Sequence, residues 1–264
     1  MTTAEPSASA AAAFSAAGTP APDGRRIGVL LSHGFTGSPV SMRPWAEHLA
    51  AEGYAVELPL LPGHGTTWQE MVPTRYDDYL AEIERTYTDL ASRCDAVVVG
   101  GLSMGGTLAL DLAERHPEIA GLVLVNAAVA STNRQLLLLP VLKHVVKAFP
   151  AIGGDIKKEG VTESAYDHTP LQALHSLVRA WREVRAGLGR IHCPVLLFRS
   201  IQDHVVDPSS ARIILAGLGS ADVSERVLAD SYHVATLDND AEQIFTESAA
   251  FIARITRERV AGDV

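Results

Sequence analysis

The sequence is poor in cysteine, in positive charge and in long apolar runs. Only two cysteines, Cys94 and Cys193, occur in 264 residues. That is too few for a disulfide scaffold or a Cys-rich metal site. Each sits beside a predicted strand, and two partly buried free thiols are expected. Lys and Arg number 22 against 31 Asp and Glu, a formal charge of −9. Nucleic-acid affinity comes mostly from neutralising phosphates, so this balance speaks against a nucleic-acid partner. No run of 18 apolar residues occurs, so no membrane-spanning helix is expected. Residues 1–24 contain no Lys or Arg, and their longest apolar stretch is 10–14. A secretory signal needs a basic start and a longer apolar core. This segment of Ala, Ser, Thr and Pro is instead read as a disordered tail, which buries too little to offset its ordering entropy.

What is present is a regular alternation from residue 25 onward. Ile27–Ser32 is a short continuous apolar run, as expected of a buried parallel strand. Further strands are expected at 54–58, 96–100, 121–126, 194–199 and 223–228. Helices are expected at 42–52, 76–92, 104–115, 171–187, 208–218 and 241–257. This rhythm predicts an α/β fold with a mainly parallel sheet flanked by helices, in one domain over 25–264. The rhythm breaks once, at 130–169. Insertions of that size commonly lie over the carboxyl ends of the strands, where ligands bind.

Gly101-Leu-Ser103-Met-Gly105 follows a Val-rich strand and precedes a helical pattern. A strand–turn–helix setting is what a nucleophile elbow requires, and only small residues fit beside its serine. The bland alternative is a serine N-cap with packing glycines. A serine nucleophile needs a base, and the base needs an orienting acid. His233, in Ser-Tyr-His-Val, falls just after the last predicted strand. Asp203 falls four residues after the preceding one. The order Ser103, Asp203, His233 is that of the α/β-hydrolases. Asp207 precedes Pro208 and reads as a helix cap. Asp230 reads as a turn residue, and His204 as a neighbour of the site at most. A tetrahedral intermediate needs preset donors. The Met104 N–H is one expectation. The Phe35 N–H, in His33-Gly-Phe-Thr-Gly37, is the other. Gly63-His-Gly65 also follows a strand but reads as a turn.

Together these residues resemble the α/β-hydrolase superfamily, and more narrowly its bacterial carboxylesterase and monoacylglycerol lipase group. Beyond Gly-Leu-Ser-Met-Gly-Gly (101–106) and His-Gly-Phe-Thr-Gly (33–37), the likeness rests on three further strings. These are Leu-Pro-Gly-His-Gly-Thr (61–66), Asp-His-Val-Val-Asp-Pro (203–208) and Ser-Tyr-His-Val-Ala-Thr-Leu-Asp (231–238). The resemblance implies Ser103, Asp203 and His233 as triad, and Phe35 and Met104 as the oxyanion hole. It implies Glu163 as a carboxylate holding the glycerol part and Ile152 as an apolar cap residue near the substrate. No metal or cofactor is implied.

The inserted cap has its own character. Leu139, Leu142, Val145 and Val146 fall on one side at helical spacing, with Lys143 and Lys147 on another. Residues 131–160 hold five Lys or Arg against two Asp or Glu, reversing the sign of the whole chain. One expectation is a cap resting on anionic lipid or micelle surfaces. The other is a helix over the core with a solvated lysine face. The combined reading is a metal-independent serine hydrolase of lipid esters, cytoplasmic, with peripheral membrane contact through the cap. Monoacylglycerol is the favoured substrate and a general carboxylesterase the alternative. A non-catalytic ligand receptor on the same fold is the rival from another class.

Overall fold

A computed structural model describes residues 11–151 and 154–262. Nine strands and eight helices are present among them. In chain order these are β1 (Phe14–Ala16), β2 (Ile27–Ser32), α1 (Arg43–Ala51), β3 (Ala55–Leu58), α2 (Trp68–Met71) and α3 (Tyr76–Ala91). Then come β4 (Ala96–Leu102), α4 (Met104–Arg115), β5 (Gly121–Val125), α5 (Leu139–Leu142), β6 (Ala148–Pro150), β7 (His168–Pro170) and α6 (Leu171–Gly187). The chain closes with β8 (Val195–Ser200), α7 (Ser209–Gly217), β9 (Val223–Leu228) and α8 (Ala241–Gly262).

Seven strands make one sheet in the order β1-β3-β2-β4-β5-β8-β9, parallel throughout except for β1. The apolar runs explain it. Every residue of β2, β4 and β5 is buried, so these strands have no solvent face and must be covered on both sides. Alternate side chains divide between two cores. Val97 and Val99 of β4 pack into the layer that includes Tyr79, Ile83, Leu108 and Trp181 of α3, α4 and α6. Val98 and Leu102 pack into the opposite layer with Trp45 and Leu49 of α1 and Ile244 and Ile252 of α8. Burying each such side chain contributes about 1.5–3 kcal/mol. The two cysteines are half-buried, as their sequence setting implied.

The tail expectation needs correction. Residues 1–10 lie outside the described residues, but Phe14–Ala16 pairs antiparallel with β3 along the sheet edge, Phe14 facing Leu58. An Ala- and Ser-rich stretch carries no strand periodicity, yet its backbone groups satisfy an otherwise open edge. The Arg43 guanidinium lies 5.4 Å from the Phe14 ring and donates to the Ala12 carbonyl at 2.7 Å. Ser15 donates to Glu57 at 2.8 Å.

The 130–169 stretch lies between β5 and α6. Its helix is shorter than its leucine spacing suggests. α5 ends at Leu142, and the Val145 and Val146 N–H groups both turn back onto the Leu142 carbonyl. Leu139 is therefore buried and Leu142 half-buried, while Val145 is 77% exposed. The expected single apolar face thus divides after its first turn. Lys143 does not face solvent alone either, since its Nζ sits 3.1 Å from His175 Nδ1. The two-stranded hairpin β6–β7 completes the stretch.

Candidate active site

Ser103 occupies the turn between β4 and α4, at φ 56° and ψ −115°. A non-glycine residue held there is strained by about 1–3 kcal/mol, and only a tightly determined turn keeps it so. The surrounding glycines show how tight it is. A Cβ on Gly105 would lie 2.0 Å from the Ser32 carbonyl oxygen, and one on Gly101 would lie 2.2 Å from the Gly105 carbonyl carbon. The serine backbone is fixed by N–H donation to Val125 O at 3.0 Å and by the Ala128 N–H at 3.2 Å.

His233 lies in the loop after β9 and is buried. Its Nδ1 donates to Asp203 Oδ2 at 2.9 Å, which leaves Nε2 as the acceptor nitrogen. Asp203, in the loop after β8, accepts the Val205 and Val206 N–H groups on its other oxygen at 2.9 and 2.7 Å. Burial disfavours charge on both partners, and their mutual contact outweighs it. The Asp203 carboxyl is held below the usual range by its bond to His233, the imidazolium charge and the two N–H groups. The His233 imidazole is held above its usual value by Asp203, and then by the charges of Glu163 and Asp155.

Ser103 and His233 both line a cavity of about 540 Å³, within the range of small-molecule sites. Phe35, Glu163 and Thr36 line it too, and much of the remaining wall is leucine: Leu102, Leu136, Leu138, Leu139, Leu142, Leu171 and Leu174. The Phe35 loop is pressed close to the serine, with a Cβ on Gly34 falling 3.5 Å from Ser103 Cβ. Met104 is the first residue of α4, so its N–H has no intrahelical acceptor. Among the described residues neither the Phe35 nor the Met104 N–H has a hydrogen-bond partner.

Two buried histidines hold the Phe35 loop. His33 accepts the Leu61 N–H on Nε2 at 3.2 Å, so its Nδ1 carries the proton donated to Gly34 O at 3.0 Å. Its ring meets His64 edge-on at 5.0 Å, and His64 stacks on Tyr166 at 6.5 Å. Burial lowers His33 to about 3 and His64 to about 4. Both rings are neutral supports. Gly63 and Gly65, at φ 74° and 72°, make 63–65 the turn its sequence suggested.

Glu163 reaches the cavity because Gly37 has no side chain, since a Cβ there would sit 2.9 Å from Glu163 Oε1. Burial raises its carboxyl above the ordinary range, against the pull of His233 and the Gly154 N–H. Ile152, the other expected cap residue, lies outside the described residues. The competing acids go elsewhere. Asp207 accepts from the Ser209 N–H and from Thr132 at the start of α7. Asp230 pairs with Lys157 at 2.7 Å.

Three groups that brace the loops of the site were not singled out from the sequence. Asn126, at φ 45°, donates to His233 O at 2.8 Å and accepts the Ser200 N–H at 2.8 Å. Asp238 accepts the N–H groups of Tyr232, Lys157, Lys158 and Asn239. Asp155 accepts the His233 N–H. An Asn closing a strand is a weak signal, because Asn tolerates left-handed backbone. Asp155 carries no signal, since its partners lie 49 and 78 residues away, and Asp238 shows only as the last residue of the 231–238 string.

The arrangement can carry out acyl transfer: a strained serine at a helix start, a base–acid pair, two free N–H groups and an apolar cavity. Comparison with known proteins agrees. A family model described as serine aminopeptidase, S33 matches residues 24–240. A thermostable monoacylglycerol lipase from Bacillus sp. (strain H-257) is 45% identical over 235 residues, covering 86% of this chain and 91% of that one. A carboxylesterase from Bacillus subtilis (strain 168) is 28% identical over 230 residues, covering 86% and 92%. A solved structure from work on LipS and LipT, two metagenome-derived lipolytic enzymes, superposes with a TM-score of 0.88. It is 43% identical and covers 93% of this chain and 98% of that one.

Proposed function

The chain belongs to the serine aminopeptidase, S33 family, on an α/β-hydrolase fold, and from that premise we propose that it hydrolyses carboxylic esters, monoacylglycerols foremost. The observation that carries this is the strained Ser103 on the wall of a leucine-lined cavity that His233, itself bonded to Asp203, also lines. A 45% identical relative named as a monoacylglycerol lipase supports the choice of substrate.

In the reaction Ser103 Oγ attacks the ester carbonyl while His233 Nε2 takes its proton. Asp203 holds the imidazolium that forms. The Phe35 and Met104 N–H groups receive the oxyanion, and losing one such donor typically costs about 3–4 kcal/mol of barrier. His233 then returns the proton to the leaving alcohol. Water, activated by the same ring, splits the acyl-enzyme and restores Ser103. The leucine wall suits an acyl chain, and Glu163 suits the hydroxyls of a glycerol. No metal or cofactor enters these steps.

Residues 130–169 act in this reading as a cap over the cavity. Leu137, Leu138, Val141 and Val145 expose apolar surface there, with Lys143 and Lys147 alongside. Contiguous exposed leucine and valine marks a contact surface, and a lipid aggregate fits it. Among the described residues no helix is long and apolar enough to cross a membrane. A general short- or medium-chain carboxylesterase is the second reading, favoured by the relative from Bacillus subtilis.

A hydrolysis series over monoacylglycerols, diacylglycerols and simple esters separates the readings. Faster turnover of medium- or long-chain monoacylglycerols than of simple esters is expected. Equal turnover of all small esters would favour the carboxylesterase, and no turnover of any ester would overturn both.

A further inference from the structure

Asp155 lies within the 130–169 stretch, and its side chain is 10% exposed. One oxygen, Oδ2, accepts the His233 N–H at 3.1 Å and the His204 N–H at 3.1 Å. The other, Oδ1, accepts the His204 Nδ1–H at 2.7 Å. The Asp155 carbonyl accepts the Val234 N–H, also at 3.1 Å. A single residue therefore grips the backbone at His233 and at its successor, and it grips the residue after Asp203. The His204 ring meets Tyr232 edge-on at 4.6 Å, which fixes the direction of its donor.

We propose that Asp155 is a positioning residue that sets His233 between Ser103 and Asp203 and ties the 130–169 stretch to the base and acid loops. The proposal rests on the triad reading above. A second carboxylate makes the contrast. Asp238 collects N–H groups from Tyr232 and from Lys157 and Lys158, and so anchors the same stretch, but among the described residues it makes no bond to His233. Asp155 differs in touching the His233 main chain and in presenting its negative charge to that imidazole. Asp203 and Glu163 face the same ring. The His204 ring sits on Asp155, and the cationic Lys157 is paired with Asp230.

The geometry makes two demands on a variant. Asp155→Asn keeps the shape but offers one acceptor oxygen where three donors converge. It also removes a charge that favours protonated His233. Turnover of p-nitrophenyl butyrate should fall about tenfold in kcat with KM within twofold. The acid limb of the pH profile of kcat/KM should move to lower pH by about half a unit. Asp238→Asn is the comparison variant: it should lower thermal stability and leave the acid limb in place. A folded Asp155→Asn protein with unchanged kcat and unchanged acid limb would overturn the proposal, as would a response matching that of Asp238→Asn. Should Asp155→Asn fail to fold, His204→Ala decides. Removing only the ring donor should lower kcat about threefold, and an unchanged kcat would count against the proposal. Ser103→Ala is assayed beside them, because turnover surviving there would indict the triad reading and not Asp155.

Discussion

At the scale of single residues, the site depends on atoms that are missing as much as on those present. Ser103 holds its strained backbone only because Gly101 and Gly105 bring no Cβ into the turn. Gly105→Ala would drive a methyl group into the Ser32 carbonyl, against backbone that cannot swing aside. It should cost at least about 3 kcal/mol of stability in chemical denaturation and remove esterase activity. The His233 imidazole is held above its usual value by the carboxylates around it. Only the neutral ring can accept the serine proton, so the acid limb of kcat/KM should lie above the ordinary imidazole value of about 6.5. Glu163→Gln removes one of the charges that favour the protonated ring, so that limb should shift to lower pH. A limb that stays in place would mean Glu163 does not act on His233. The three residues proposed as the triad could be singled out from the sequence because each follows a recognisable strand and the first carries glycines on both sides. Asn126 and Asp155 could not, because the His233 main chain that they hold is more than 70 residues distant from either.

At the scale of elements, two loops share one support. The 33–37 loop and the 61–66 loop are joined through His33 and His64, whose rings are buried and neutral at about 3 and 4. In the unfolded chain both rings titrate near 6.5, so acid favours unfolding. The stabilisation is fully present above about pH 6.5 and is lost progressively as pH falls toward the folded values. Thermal unfolding should therefore show a falling midpoint from pH 6.5 to 4. His64→Phe, which keeps an aromatic ring and removes the proton site, should flatten that slope. An unchanged slope in the variant would assign the acid sensitivity to other groups. Strands and long helices were readable in the sequence because an apolar period of 2 or 3.6 announces them over many residues. β1, α2 and the β6–β7 hairpin have three or four residues each, too few to show a period. β1 exists because β3, already in the sheet, completes its hydrogen bonds, and β6 and β7 complete each other's.

At the scale of the whole molecule, a charge of −9 describes the average surface and misleads about the stretch proposed as a cap. Residues 131–160 carry most of their charge as Lys and Arg, and they expose Leu137, Val141 and Val145. The leucine spacing promised one apolar face for the core. Because α5 stops at Leu142, the apolar residues point two ways: Leu139 and Leu142 into the cavity, Val141 and Val145 into solvent. Val141→Glu with Val145→Glu should weaken co-sedimentation with anionic liposomes and slow hydrolysis of aggregated monoacylglycerol several-fold. Turnover of a dissolved short-chain ester should be unaffected. Equal liposome binding by both proteins would remove the lipid-surface role.

The central claim is that one serine, activated by His233 and Asp203, forms an acyl-enzyme. Reaction with a fluorophosphonate followed by intact-mass and peptide mass spectrometry tests it most directly. The account predicts one adduct per chain, on the peptide carrying Ser103, with esterase activity lost in proportion and no adduct on Ser103→Ala. An adduct on another residue, or hydrolysis continuing in fully labelled protein, would contradict it.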